Sequence, residues 1–254
     1  MRHLLRLFLI LLMAVTSPAL LAKDLRVGMS PDMPPLVYLD KGKLTGIEVA
    51  AAESLGKLMG KDVEFVQMPF PELIPALQAG KIDIIMSGMS IAADRTDQVS
   101  FTKSYMQAGQ MAIIRVADAG QFAFRGALFR PGSKVAVEKH TTGEAFADQH
   151  LRQAAVTHCS NLQEAFDKLK NREVDFVVHD ASTSWSLANN RDTQDLMSLN
   201  HAMTDEALGW AVAKTNPGLL AQVNQHLQEM QDRGILRAII NKWIPVTVEV
   251  ENQR

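Results

Sequence analysis

The sequence predicts an α/β protein built as two lobes of like construction. Two observations carry that expectation. Strand and helix patterns alternate from Leu25 to Gly88, which argues for a mainly parallel sheet flanked by helices, and the middle of the chain repeats the alternation. Two segments also share one plan. "LIPALQAGKIDIIMSG" and "AFDKLKNREVDFVVHD" each set an amphipathic helix, a short turn, one aspartate (Asp83, Asp175) and an apolar strand that ends on polar residues.

The elements follow in order. "DLRVGMS" is a short strand pattern closing in a Gly-Met-Ser-Pro turn. "TGIEVAAAESLGKLMG" predicts a helix with Ile47, Ala51, Leu55 and Leu58 on one face, Thr45 and Glu48 spaced as a capping box, and Gly60 as its stop. "VEFVQM" is a strand, "PELIPALQAG" a short helix despite Pro75, and "KIDIIMSG" a buried strand. "SKVAVEK", "TGEAFADQHL", "NLQEAFDKLKN" with Asn161 as cap, and "EVDFVVHD" give strand, helix, helix and strand. "LGWAVAK" is a further strand. Asn216 and Pro217 open a helix by cap and first-turn proline, with Leu219, Leu220, Val223, Leu227 and Met230 as a core stripe, and "ILRAIINKWI" ends the pattern as a short helix.

Residues 1–22 stand apart. Arg2 and Arg6 precede the apolar run "LFLILLMAV", and small residues follow in "TSPALLA". A positive start, a short apolar centre and a small-residue end describe a secretory signal peptide. The run is shorter than the roughly 20 apolar residues of a bilayer-spanning helix. The whole chain has 254 residues and a formal charge of −2; losing the two arginines of this segment leaves 24 basic against 28 acidic residues, or −4. That balance carries no basic footprint for nucleic acid. The only cysteine, Cys159, excludes an internal disulfide and is expected to behave as a small buried apolar residue.

In open α/β sheets, ligands sit outside the carboxyl ends of strands. That rule selects two clusters. The first is "SGMSIAADR": Ser87, Gly88, Ser90 and Arg95. Glycine admits a close backbone approach, hydroxyls and free amides donate, and a guanidinium fork matches a carboxylate. Arg95 could equally pair with Asp94 or Asp97 on a solvated turn. The second is His179 and Asp180, closing "DFVVHD". Asp180 could accept an ammonium group, or cap the helix beginning near "ASTSWSLA". His179, His140 and Asp180 lack paired metal-ligand spacing, so no metal and no cofactor is expected. No nucleophile elbow, metalloprotease motif, phosphate loop or dinucleotide fingerprint occurs.

The order "LRVGMSPDMPPLVY", "GKLTGIEVA", "LIPALQAGKIDIIMSGMSIAADR" and "VSFTKSYM" resembles the polar amino-acid-binding type of bacterial periplasmic solute-binding proteins, family 3. The resemblance runs from about Leu25 to the last helix and is strongest from Leu73 to Tyr105. It implies a type II periplasmic binding protein: two lobes, each a mainly parallel sheet flanked by helices, joined by two hinge strands and closing over a ligand. Lobe I would take residues 23–114 and 205–254, and lobe II residues 115–204, with crossings near "AIIRV" and before "LGWAVA". By the same resemblance, Arg95 binds the ligand α-carboxylate, helped by Gly88 and Ser90. Ser87 faces the α-ammonium, Asp180 binds it from lobe II, and Thr142 with Thr141 meets the carboxylate at a helix start. Phe70 packs on the ligand side chain, and Met33 stands where an aromatic commonly forms the opposite wall. Ser30 occupies a position that is acidic in relatives taking cationic side chains, which argues against lysine or arginine unless Asp32 substitutes. Leu36 replaces another aromatic, Ala92 a threonine and His140 a turn glycine.

The function these residues imply is capture of a small amino acid or related carboxylate in the periplasm, for delivery to the membrane permease of an ABC transporter, by a monomer. The same fold would serve a ligand-sensing subunit for a membrane receptor. A dehydratase-like enzyme is a third reading, with Glu138, Glu144 and Glu173 as acids by type only.

Overall fold

The computed structural model describes residues 24–187 and 193–244. The proposed signal peptide, residues 1–22, lies outside the described residues. The chain first lays down β1 (Leu25–Met29), β2 (Asp32–Met33), β3 (Val37–Asp40), β4 (Lys43–Thr45), α1 (Ile47–Met59), β5 (Val63–Gln67), α2 (Leu73–Gln78), β6 (Ile84–Ile85), α3 (Ala93–Thr96), β7 (Ser100–Phe101) and β8 (Met106–Ala108). It then crosses to β9 (Gln110–Arg115), β10 (Lys134–Glu138), α4 (Thr142–His150), β11 (Ala155–Cys159), α5 (Leu162–Lys170), β12 (Phe176–Asp180), α6 (Ala181–Leu187) and β13 (Leu196–Ser198). It returns through β14 (Glu206–Leu208) and β15 (Ala211–Val212) to α7 (Pro217–Asp232) and α8 (Ile235–Trp243).

Two five-stranded sheets result, ordered β5-β1-β6-β15-β7 and β11-β10-β12-β9-β13. In the first sheet the three strands marked by the sequence run parallel, β1 pairing with β5 and β6; in the second, β10 pairs in parallel with β12 and with β11, a strand that the sequence pattern does not mark. The strands arriving after each crossing, β15 and β9, join antiparallel. Helices cover both faces of each sheet, so the central strands read as unbroken apolar runs. Their side chains divide by face: Ile84 enters one core of the first lobe and Ile85 the other. Phe176 and Val178 enter one core of the second lobe, and Val177 the other. Val223, Leu227 and Met230 of α7 are fully buried in the first lobe's larger core, as their helical spacing predicts. Cys159 is buried in the second lobe, and burial pushes its thiol above the ordinary value.

Three local expectations are corrected. Thr45 does not cap α1; Gly46 stands at the cap without a side-chain bond. Glu48 instead turns inward, where its carboxylate gathers three donors from distant parts of the lobe. "LGWAVAK" forms two short strands rather than one, because the Gly209 amide turns to the carbonyl of Met89. The first crossing precedes "AIIRV": Gln110–Arg115 pairs with β12 and β13 inside the second sheet, since Ile113 and Ile114 are needed in that lobe's two cores. The segments that join the lobes are β8 and β14, paired antiparallel with Met106 opposite Leu208 and Ala108 opposite Glu206.

Candidate functional site

The carboxyl ends of β1, β6, β10 and β12 face one gap between the lobes; polar residues follow β1 and β6 (Ser30, Ser87) and close β10 and β12 (Glu138, Asp180). After β6, Gly88 adopts φ 64°, and a Cβ there would lie 2.6 Å from Leu36 and 2.9 Å from the sulfur of Met33. Glycine is therefore required for both conformation and space. Its amide donates to Glu48 Oε1 at 2.7 Å. Tyr105 Oη donates to the same oxygen at 2.6 Å and Trp210 Nε1 to Oε2 at 3.0 Å, so Glu48 braces the loop from beneath. Ser87 Oγ accepts from the Ser30 amide at 2.9 Å, tying the ends of β1 and β6 together.

Arg95 is 6% exposed. Its Nη1 donates to the carbonyl of Ser90 at 3.3 Å and its Nη2 to the carbonyl of His140, across the gap, at 3.1 Å. The guanidinium lies over the Phe70 ring at 5.4 Å. Among the described residues it has no ion pair; the expected alternative partners, Asp94 and Asp97, do not take it. Burial lowers its pKa, while the charges of Asp94, Asp180 and Glu206 act against that, and an arginine keeps its proton throughout. Arg95, Phe70, His140, Thr141 and Thr142 line a cavity of about 790 Å³ at the edge of the gap.

On the second lobe, α4 opens toward this cavity. Thr141 caps it, accepting from the Glu144 amide at 3.2 Å, and donates to the Glu138 carbonyl at 2.7 Å. Its hydroxyl is committed to the helix. Glu144 returns to the His140 amide at 2.7 Å, which holds His140 at φ 64°. Thr142 turns the other way: its Oγ1 accepts from Gln110 Nε2 at 2.9 Å and donates to Glu206 Oε2 at 2.7 Å. Gln110 Nε2 also donates to Asp180 Oδ1 at 2.7 Å. Burial raises the Asp180 pKa, Glu206 adds to it, and His179, Gln110 and Arg95 oppose it.

Behind Asp180, His179 is buried between Thr183 Oγ1 (2.8 Å) and Glu138 Oε2 (3.3 Å). Burial works to lower its pKa, but Glu138, Asp180 and Asp32 outweigh it, and the value ends above the ordinary one. Asp32, from the first lobe, and Glu138, from the second, line one cavity of about 510 Å³ with Ser30 and Phe70. Asp32 keeps contact with solvent, yet the cleft walls penalise its charge, and Glu138 pushes its carboxyl up further.

The structure thus gathers Arg95, Ser90, Gly88, Asp180, Thr142 and Phe70 around the gap, and gives the hydroxyls of Ser87 and Thr141 backbone partners; Met33, expected as a ligand wall, is instead buried in the first lobe's larger core, because its side chain packs beneath Gly88. Of the carboxylates named for an acid role, Glu173 sits in an exposed pair with Lys168, Glu144 serves the helix start, and Glu138 faces the gap. Sequence reasoning did not select Gln110 or Glu206. Gln110 is a polar residue opening an apolar strand, a visible but weak signal. Glu206 carries no local signal at all. Among the described residues no group of three or more His, Cys, Asp or Glu is arranged to hold a metal ion, and no helix is long and apolar enough to cross a membrane.

Residues 25–246 match the bacterial extracellular solute-binding proteins, family 3. The chain belongs to this family. This family 3 protein is 30% identical to ABC transporter arginine-binding protein 1 of Escherichia coli, over 92% of this chain and 96% of that one. It is 26% identical to the L-cystine-binding protein TcyJ of the same organism, over 88% and 84%. Among solved structures, an ancestral arginine-binding protein bound to arginine aligns with a TM-score of 0.80 at 33% identity, covering 88% of this chain and 99% of that chain. An ancestral amino-acid-binding protein described as a precursor of cyclohexadienyl dehydratase aligns with a TM-score of 0.80 at 35% identity, covering 87% and 95%. The family 3 fold accounts for the two sheets and for the paired β8 and β14 that join them.

Proposed function

We propose that this protein captures a small amino acid, or a carboxylate related to one, in the gap between its lobes. It holds the ligand by lobe closure and delivers it to the membrane permease of an ABC transporter. The observation that carries this reading is Arg95: a guanidinium buried at the lobe interface, charged, bonded to two carbonyls and to no carboxylate among the described residues. Two carbonyls leave donors free for an incoming anion, and a fork of N–H groups fits a carboxylate in two-point fashion. Asp180 supplies the opposite charge for an ammonium group from the second lobe. Closure follows because Arg95 and Asp180 sit on different lobes, so the ligand makes its full set of contacts only when the gap is shut.

The far end of the gap is acidic. Ser30 is uncharged, but Asp32 and Glu138 face the same cavity from opposite lobes. This favours a ligand whose side chain ends in a cation, in keeping with the arginine-binding relatives. The ligand is bound and released rather than turned over, a reading supported by the relatives, which are named as binding proteins. The protein works as a periplasmic monomer, reached through residues 1–22 as signal peptide. Its first lobe runs to about Ala108 and resumes near Glu206.

A thermal-shift screen of the proteinogenic amino acids tests the reading. A ligand at 100 times its Kd stabilises by about 2.7 kcal/mol, which raises the melting temperature of a domain this size by roughly 5–10 °C. No shift with any amino acid contradicts it.

A further inference from the structure

A separate cavity lies at the opposite end of the second sheet from the gap. β10 and β11 begin there, at Lys134 and Ala155, and α4 ends there at His150. At about 3.3 Å per residue, β10 alone sets this end roughly 13 Å from Glu138. The cavity holds about 300 Å³; Phe129, Arg130, His150 and Arg152 line it, and no carboxylate does. The two arginines come from separate segments. Arg152 follows α4, and its Nε donates to the Gln149 carbonyl at 3.0 Å. Arg130 follows the turn Arg125–Phe129, and its Nη2 donates to the Gln121 carbonyl. Among the described residues neither guanidinium has an ion pair. The acids of the adjoining segments have other partners: Asp118 takes Arg115 and Arg172, Asp148 takes His158, and Asp175 accepts from the Lys134 amide. His150 and Arg152 complement the carbonyl end of α4. That role does not account for Arg130.

The surface around the cavity is apolar. Among the described residues four large apolar side chains are exposed, and three of them, Val116, Phe124 and Phe129, stand at this end of the lobe. Val116 follows β9, which runs antiparallel to β12 with Ile114 opposite Phe176, so it emerges where β12 begins. Phe124 is 64% exposed, and the Arg130 guanidinium lies over its ring at 5.8 Å.

We propose that this end of the second lobe is a docking surface for an anionic phospholipid bilayer: Arg130 and Arg152 take a headgroup phosphate at the cavity, while Phe124, Phe129 and Val116 enter the interfacial layer beside it. A phosphate suits guanidinium groups that have no carboxylate partner. Exposed rings next to arginine match a boundary that is anionic above and apolar beneath. A soluble phosphate fills the cavity but leaves Phe124 and Val116 in water; a bilayer covers both. Charge gives the docking its direction. Residues 23–254 carry 24 basic against 28 acidic residues, so an anionic surface repels the molecule as a whole and attracts it at the end where unpaired arginines gather. The gap, at the other end of the sheet, stays clear. The proposal goes beyond the ligand reading and does not depend on it.

Co-sedimentation of residues 23–254 with vesicles tests it. The wild type is expected to sediment with vesicles of one part phosphatidylglycerol to two parts phosphatidylcholine, less so at high salt, and not with phosphatidylcholine alone. Each basic residue at an anionic surface raises partitioning about fivefold, so Arg130→Gln combined with Arg152→Gln is expected to bind the mixed vesicles at least tenfold more weakly. Phe124→Ser, a change at an exposed side chain, is expected to weaken the same binding several-fold with no change in melting. Both variants are expected to keep the wild type's amino-acid affinity, since neither touches the gap. Vesicle binding that both variants retain, or none by the wild type, overturns the proposal. So does calorimetric binding of glycerol 1-phosphate without vesicle binding, which assigns the cavity to a soluble phosphate ester. A wild-type dimer that Phe124→Ser abolishes assigns the surface to a second copy of the chain and overturns it as well.

Discussion

Trp210 Nε1 lies 3.0 Å from Glu48 Oε2, joining two residues 162 positions apart inside the first lobe. Glu48 also receives Tyr105 Oη and the Gly88 amide, and burial raises its pKa against those three donors. One carboxylate thus fixes the floor of the loop after β6 to α1 and to the returning chain. Glu48→Ala strands all three donors in the core. Each orphaned buried donor costs about 1–3 kcal/mol, so the variant is expected to lose at least about 3 kcal/mol in urea unfolding. Unchanged stability would show that the bracing is idle.

The two neighbouring threonines separate by role. Thr141→Ala removes a helix cap and is expected to cost about 1 kcal/mol of stability with ligand affinity held within twofold. Thr142→Val keeps the shape but breaks the path from Gln110 to Glu206, and is expected to weaken binding with little change in melting. Titration and melting of both variants check the division; the reverse pattern contradicts it.

Asp32 and Glu138 predict the charge preference of the side-chain end. Asp32 stays in contact with solvent, so its contribution is that of a screened pair. Asp32→Asn is expected to weaken L-arginine by up to about fivefold relative to L-glutamine, less so at high salt. An unchanged ratio at low salt removes Asp32 from the ligand end.

His179 gives the pH dependence its sign. Burial lowers its pKa, but the Glu138 hydrogen bond and the charges of Asp180, Glu138 and Asp32 bring it above 6.5. The folded protein therefore holds the proton more tightly than the unfolded chain. The stabilisation is complete below about pH 6.5 and is lost as pH rises through the folded value. Melting of the wild type is expected to fall across that window more steeply than melting of His179→Gln. Parallel curves contradict the assignment.

Much of this was legible in the sequence because it is written locally. Strand ends followed by small polar residues marked Arg95 and Asp180, and the caps at Asn161 and Asn216 form as their spacing predicts. What escaped is written across the chain. Thr45 and Glu48 have capping-box spacing, yet the pull of Gly88, Tyr105 and Trp210 on a buried carboxylate outweighs one helix cap. Glu206 reaches Ser90 over 116 positions and Thr142 over 64, through a pairing of segments that no local pattern announces. The sequence leaves Arg95 open between a turn ion pair and a ligand, because spacing alone does not tell whether Asp94 or Asp97 reaches it; among the described residues neither forms an ion pair with it.

The proposed grip of Arg95 on a carboxylate is tested most directly by titration calorimetry of Arg95→Gln with L-arginine and L-glutamine, beside the wild type. Removing one member of a buried charged pair costs about 2–5 kcal/mol, so whichever amino acid the wild type binds should lose at least about 30-fold in affinity while the variant still unfolds cooperatively. Binding by Arg95→Gln within twofold of wild type would contradict the account.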